Sequence, residues 1–205
     1  MAGRKIGILV AALIAAVAVP AIAQMGFSES YTFLKAVRER DGATADGILA
    51  NPSSTAVNAR GDDGQGALHI LVRGRDSTWL GYLLSHGARP DIQDGQGMTP
   101  LAIAAQIGWI EGASTLLDHG ANPNLANSRG ETPLMFAVRG VNLGMVRLLM
   151  NHHADPNQTD NVQGYSAIDY AQQDRRAATI LQVMRRPAGA PSTATTAVRP
   201  APQPR

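Results

Sequence analysis

Gly97-Met98-Thr99-Pro100-Leu101-Ala102-Ile103-Ala104-Ala105 recurs as Gly130-Glu131-Thr132-Pro133-Leu134-Met135-Phe136-Ala137-Val138. A weaker copy lies the same distance upstream, at Gly64-Gln65-Gly66-Ala67-Leu68-His69-Ile70-Leu71-Val72. A second signature follows each copy at constant distance: Leu83-Leu84-Ser85-His86-Gly87-Ala88, Leu116-Leu117-Asp118-His119-Gly120-Ala121 and Leu149-Met150-Asn151-His152-His153-Ala154. A further start, Gly164-Tyr165-Ser166-Ala167-Ile168, arrives a single position later than the same interval from Gly130 would place it. Self-similarity at such a fixed period marks a repeat architecture, in which each unit buries its apolar face against its neighbours.

Each unit reads as two short helices. Thr99 and Thr132 offer a side-chain oxygen at a helix N-cap, and Pro100 and Pro133 take the first helical position, where a missing N–H costs nothing. An Ala-rich helix follows and closes near Gly108. A second helix, Glu111 to His119 in one unit, ends at Gly120, the residue type suited to a left-handed C-cap. Asn122-Pro123-Asn124 and Asn127-Ser128-Arg129-Gly130 are turn-rich and connect to the next unit. Upstream, Leu34-Lys35-Ala36-Val37 and Ile48-Leu49 keep the two-helix rhythm without the turn signature.

A unit of this length with TPL and LLxxGA motifs in register resembles the ankyrin repeat, over residues 31 to 184. The fold class expected is all-α: a solenoid of helix-turn-helix units with short turn or hairpin tips. The repeat domain would occupy 28–186, in units of about 31–60, 61–93, 94–126, 127–159 and 160–185. The unit from Gly61 lacks the Thr-Pro pair, and the unit from Asp160 has Ser166-Ala167 and one inserted residue. Gly74 and Gly140 fall one position before the family's usual inter-helix glycine, leaving Arg75 and Val141 in its place. The outer units read as caps, since a terminal repeat has only one neighbour. The last helix is expected over Ala177 to Met184.

The two ends differ from this body. Met1 to Gln24 has two basic residues, an apolar run from Ile6 to Val19 and an A-x-A ending, the three parts of a secretory signal peptide. Its fourteen-residue run is short of the ~20 needed to span a bilayer. Cleavage is expected after Ala23, giving an exported protein, periplasmic or secreted; retention of the segment would make it a membrane anchor instead. Pro187 to Arg205 carries five prolines among Ala, Thr and Ser and reads as a disordered tail.

Composition narrows the function. The 205 residues include no cysteine, which excludes disulfide frameworks, thiolate metal sites and cysteine nucleophiles. The chain has 18 Lys+Arg and 16 Asp+Glu, but Arg4 and Lys5 lie in the leader and four Arg lie in 185–205. Residues 24–184 therefore hold 12 basic and 16 acidic groups, a poor platform for nucleic acid.

His86, His119 and His152 recur with the repeat and suggest a metal or small-ligand site. Neighbouring helices about 8–10 Å apart would hold successive histidines too far apart for one zinc ion. Each sits in the last turn of its helix, where the dipole favours a cation, so a structural role is preferred. His69 takes the place of the family's TPLH histidine, which implies a structural hydrogen bond near the turn. Asp62-Asp63 reads as a solvated turn. No catalytic constellation separates from the repeat pattern, so no enzyme, cofactor or metal is expected.

What varies from unit to unit is the surface of the tips and the first-helix ends. The resemblance implies that partners are held there, making the chain a non-enzymatic, monomeric protein-binding module. The candidate partner-binding residues are Asp62, Asp63 and Gln65; Gln96 and Met98; Ser128, Arg129 and Glu131; and Val162, Gln163 and Tyr165. Arg73, Gln106, Arg139 and Gln173 add the helix ends. Trp79 is expected in the core and Trp109 half-exposed, either one able to anchor a partner.

Overall fold

A computed structural model describes residues 28–185. The proposed leader and the Pro-rich tail lie outside them. Ten α-helices follow in pairs: α1 Glu29–Glu39 and α2 Gly42–Leu49, α3 Ala67–Arg73 and α4 Ser77–Ser85, α5 Pro100–Gln106 and α6 Ile110–Asp118, α7 Pro133–Arg139 and α8 Leu143–Asn151, α9 Ala167–Gln173 and α10 Ala178–Arg185. No strand forms among the described residues, although isolated bridges Arg60–Gly66 and Thr159–Ser166 pinch two of the tips. The all-α reading holds.

Helix starts follow side-chain chemistry. Thr99 and Thr132 accept from the N–H groups of Ala102 and Met135, with proline at the first helical position in both. Ser166 has no proline behind it and uses a reciprocal box instead. Its Oγ accepts from Asp169 N at 3.2 Å, while Asp169 Oδ2 accepts from Ser166 N at 2.8 Å. Gly66 has no side chain to offer, and its own N–H donates to His69 Nδ1 at 3.1 Å.

Helix ends repeat just as strictly. After α3, α5 and α7 the chain passes through Arg75, Gly108 and Val141, all at positive φ. In each case the next N–H returns to a carbonyl in the last turns of the helix: Asp76 to Leu71 O, Trp109 to Ala104 O, Asn142 to Ala137 O. Gly74 and Gly140 stay right-handed, at φ −82° and −77°, so the offset glycines do not move the turn. Arg75 and Val141 take the left-handed conformation themselves.

The inner helices α1, α3, α5, α7 and α9 pack one on the next, and α4, α6, α8 and α10 form an outer row. Between the rows runs one continuous core containing Phe33, Leu68, Leu71, Leu80, Leu101, Leu116, Leu134, Met135, Met145 and Leu149. Small residues on the inner helices, such as Ala102, Ala104 and Ala137, are fully buried and let neighbouring backbones approach. The last outer helix begins one residue later than expected, because Arg175–Ala177 forms a single 3₁₀ turn whose N-cap is Asp174.

The two tryptophans exchange the places expected of them. Trp109 is 7% exposed, at the start of α6, where Asp76 and Asn142 cap the equivalent helices with side-chain oxygens. The indole has no oxygen to cap with and folds down over Gly112 instead. A Cβ there would lie 2.1 Å from the ring, so the glycine makes the space. Trp79 is only half-buried. It borders a cleft of about 230 Å³ with Gly42, Asp46, Thr78 and Tyr82.

Candidate functional site

Three of the tips are organised by an Asp or Asn at the first position. Asp94 Oδ1 accepts from the N–H of Gln96 and Met98, and Asn127 Oδ1 from those of Arg129 and Glu131, all at 2.9 Å. Asp160 Oδ1 takes Val162, Gln163 and Gly164. Gly61 lacks such a side chain, and Asp63 supplies the acceptor for Gln65 N at 2.9 Å. Adjacent tips are then tied by backbone bonds: Gly95 N to Asp63 O, Ser128 N to Gln96 O, Asn161 N to Arg129 O. Left-handed Gly97 sits at this junction, where a Cβ would come within 2.7 Å of Ser128 N. The tips are therefore fixed relative to one another by main chain; the last carries one extra residue, closing from Asp160 N to Tyr165 O, and side chains distinguish the rest.

Asp62, Asp63, Gln96, Ser128, Arg129, Val162, Gln163 and Tyr165 are exposed on the tips, and Gln65 is half-buried. Arg73, Gln106, Arg139 and Gln173 are exposed at the ends of the inner helices. Met98 and Glu131 are corrections to the expected surface, each only 6% exposed. Met98 turns inward at the tip's closing position, and its carbonyl oxygen lies 2.9 Å from His69 Nε2. Because His69 Nδ1 accepts from Gly66, Nε2 carries the proton and donates to Met98. Burial holds the His69 ring below its usual pKa, so it links two units as a neutral imidazole. This is the structural hydrogen bond expected of that position.

Glu131 is buried as an ion-pair hub. Its Oε2 accepts from Asn127 Nδ2 at 2.9 Å, and from Arg129 Nε and Nη2 at 2.9 and 2.7 Å. Its Oε1 accepts from Arg139 Nη1 at 2.6 Å. Burial pushes the Glu131 pKa up, but the bonds from Asn127, Arg129 and Arg139 outweigh it and hold the carboxyl below its usual range.

Around this hub the structure gathers Arg129, Glu131, Arg139, Val162 and Gln163 into one cavity of about 300 Å³, together with Asp160 and Tyr170. Tyr170 lines this cavity and is not among the candidates read from the sequence. Its signal was a series at one inner-helix position, Ile70, Ile103, Phe136 and Tyr170, that turns aromatic toward the last unit. Tyr170 Oη donates to Asp160 Oδ2 at 2.5 Å, and burial followed by that bond pushes the phenol up to about 12. Asp160 is in turn held below its usual range: burial opposes this, but the Tyr170 hydroxyl and three backbone N–H groups prevail. Neither group is poised to exchange a proton near neutral pH. The other tip candidates are not drawn into this cavity. Asp62 and Asp63 line a separate one of about 330 Å³ beside α1.

Two of the recurrent histidines, His86 and His119, turn back to their own helices. The ring Nδ1 of His86 is 2.8 Å from Tyr82 O, and that of His119 is 2.8 Å from Thr115 O. No three His, Asp or Glu side chains converge as a metal-holding group among the described residues. The sequence model of the family described as "Ankyrin repeats (3 copies)" matches residues 33–127, 68–160 and 113–185.

Proposed function

The chain belongs to the ankyrin-repeat family, whose repeats are protein-interaction modules, and from that premise we propose a non-enzymatic binding protein that holds a protein partner along its tips and inner-helix ends. One observation supports this reading above the rest. Residues that build each unit, such as Thr99 and Thr132 or Leu101 and Leu134, are buried and repeated. Gln96, Arg129 and Val162, at equivalent places on the tips, are exposed and differ. A main-chain framework that fixes the tips lets them meet a partner with little loss of conformational freedom.

In this proposal the chain acts as a monomer in the cell envelope or outside the cell, delivered by the leader and released from it at Ala23. N-terminal sequencing of the native protein tests the processing: a start at Gln24 supports export, whereas Met1 supports a retained anchor. Crosslinking and pull-down from the native envelope tests the surface. Replacing Gln96, Ser128 and Val162 together should release the captured protein without moving the melting curve. Capture unchanged by that triple variant would overturn the proposed surface.

A further inference from the structure

The cavity around Glu131 has an asymmetry that bears on what a partner must carry there. Its two carboxylates are occupied from within: Glu131 by Asn127, Arg129 and Arg139, and Asp160 by Tyr170 and the backbone of its own tip. The guanidinium groups are not. Arg129 spends Nε and Nη2 on Glu131, and Arg139 spends Nη1, while their side chains remain 64% and 49% exposed. A guanidinium has five N–H donors, so both retain donors for another acceptor.

Both arginines are also held in place. Arg139 Cζ lies 5.9 Å from the ring centroids of Phe136 and of Tyr170, and the same side chain is tied to Glu131 at 2.6 Å. Tyr170 is steadied by the edge of Tyr165, with ring centroids 5.7 Å apart. Next to these donors stands Val162, 67% exposed and part of the same cavity wall, and Tyr165 is exposed close by. Pre-oriented donors beside an apolar contact suit a carboxylate carried next to an apolar side chain.

We propose that this cavity receives an acidic side chain of a protein partner, with the apolar residue beside it resting on Val162 and the Tyr165–Tyr170 pair. The assignment rests on the reading of the tips as a protein-binding surface and names the chemistry that surface selects at one end. It also gives the partner a direction. Two units earlier, the tip position of Arg129 is occupied by Asp63, exposed next to Asp62, and carboxylates there repel an acidic segment.

Selection of a random peptide display library on the full chain tests this, run in parallel on Arg129→Gln and on the double variant R129Q/R139Q. The single variant leaves the packed Arg139 untouched, and melting curves verify that both variants are folded. Peptides enriched on the parent chain should pair Asp or Glu with an adjacent apolar residue, bind about tenfold more weakly to the double variant, and weaken in part with R129Q. Asp63→Asn should leave them bound. Enriched peptides without an acidic residue, or acidic peptides held equally by the double variant, overturn the proposal. If the enriched peptides are held equally by the double variant but released by replacing Gln96 and Ser128, which lie outside this cavity, the broader reading stands and this one falls. A failure of the envelope capture to respond to the Gln96, Ser128 and Val162 triple variant defeats the broader reading separately.

Discussion

At the end of α5 the chain turns through Gly108 at φ 69°; at the end of α7, one unit on, it makes the same turn through Val141 at φ 50°. The second helices repeat the contrast, with Gly120 at φ 84° after α6 and His153 at φ 65° after α8. The hydrogen bonds do not change: Trp109 N and Asn142 N reach back to Ala104 O and Ala137 O, and Ala121 N and Ala154 N to Leu116 O and Leu149 O. Two neighbouring units thus share one backbone, and in one of them two residues occupy a region of φ/ψ space that side chains resist. The stack, through its core and its tip-to-tip bonds, decides the turn; the residue at the turn only adds to or subtracts from stability.

If the units are equivalent in their core, Leu101→Ala and Leu134→Ala should each cost about 2–5 kcal/mol, because both side chains are fully buried and each leaves a cavity. Thermal or denaturant melting measures both; an unchanged curve for either would break the equivalence of the two registers. Exchanging the turn residues probes the difference. Gly108→Val should destabilise by about 1–3 kcal/mol, since it forces a β-branched residue into the left-handed region. Val141→Gly should stabilise by about 1 kcal/mol or less, as the strain relieved is offset by the freedom glycine gains in the unfolded chain and by the loss of a partly buried side chain. Movement of both variants in one direction would show that the turn is set locally after all.

The smallest effect separates these two units from the one before them, where Gly66 stands at the threonine cap and His69 takes its N–H. The ordinary pKa of the ring is near 6.5 and burial lowers it in the folded state. Below about pH 6.5 the unfolded chain takes up a proton that the folded ring refuses, so stability falls with falling pH. The contribution is fully present above the unfolded value. Stability should therefore fall between pH 7 and pH 6, and His69→Gln should remove that slope. Equal pH slopes for parent and variant would mean that the ring is not held neutral.

The helix pairs were legible because their signals are local and repeated: threonine and proline at the starts, glycine at Gly108 and Gly120. Position 141 was legible as a departure, although its consequence was not, since the φ of Val141 is imposed by packing that its own sequence does not encode. The inward turn of Met98 and Glu131 was hidden for a related reason. Variation between units looks like display, yet Met98 varies while its carbonyl holds His69, and Glu131 varies while pairing with two arginines. The tryptophans were misplaced because the burial of Trp109 depends on the space left by Gly112 within its own helix, and that of Trp79 on α2, a distant element of the chain. Tyr170 belonged to a position that is apolar in earlier units, and only the gathering of the last two tips around it made it part of a site.

A second seam joins the units through the loops that follow the outer helices. Asn58 bridges to Gly87 O and Arg89 N, Asp91 to Asn122 N, and Asn124 to His153 O and Asp155 N, one side chain for each joint at the same place in its unit. The fourth member of this row, Asn157, donates to Asp155 Oδ1 within its own loop. The first three units thus carry the fastener for the successor in their own sequence. An array fastened this way can lengthen by tandem duplication in a single genetic event, because a copied segment brings both halves of its new joint with it.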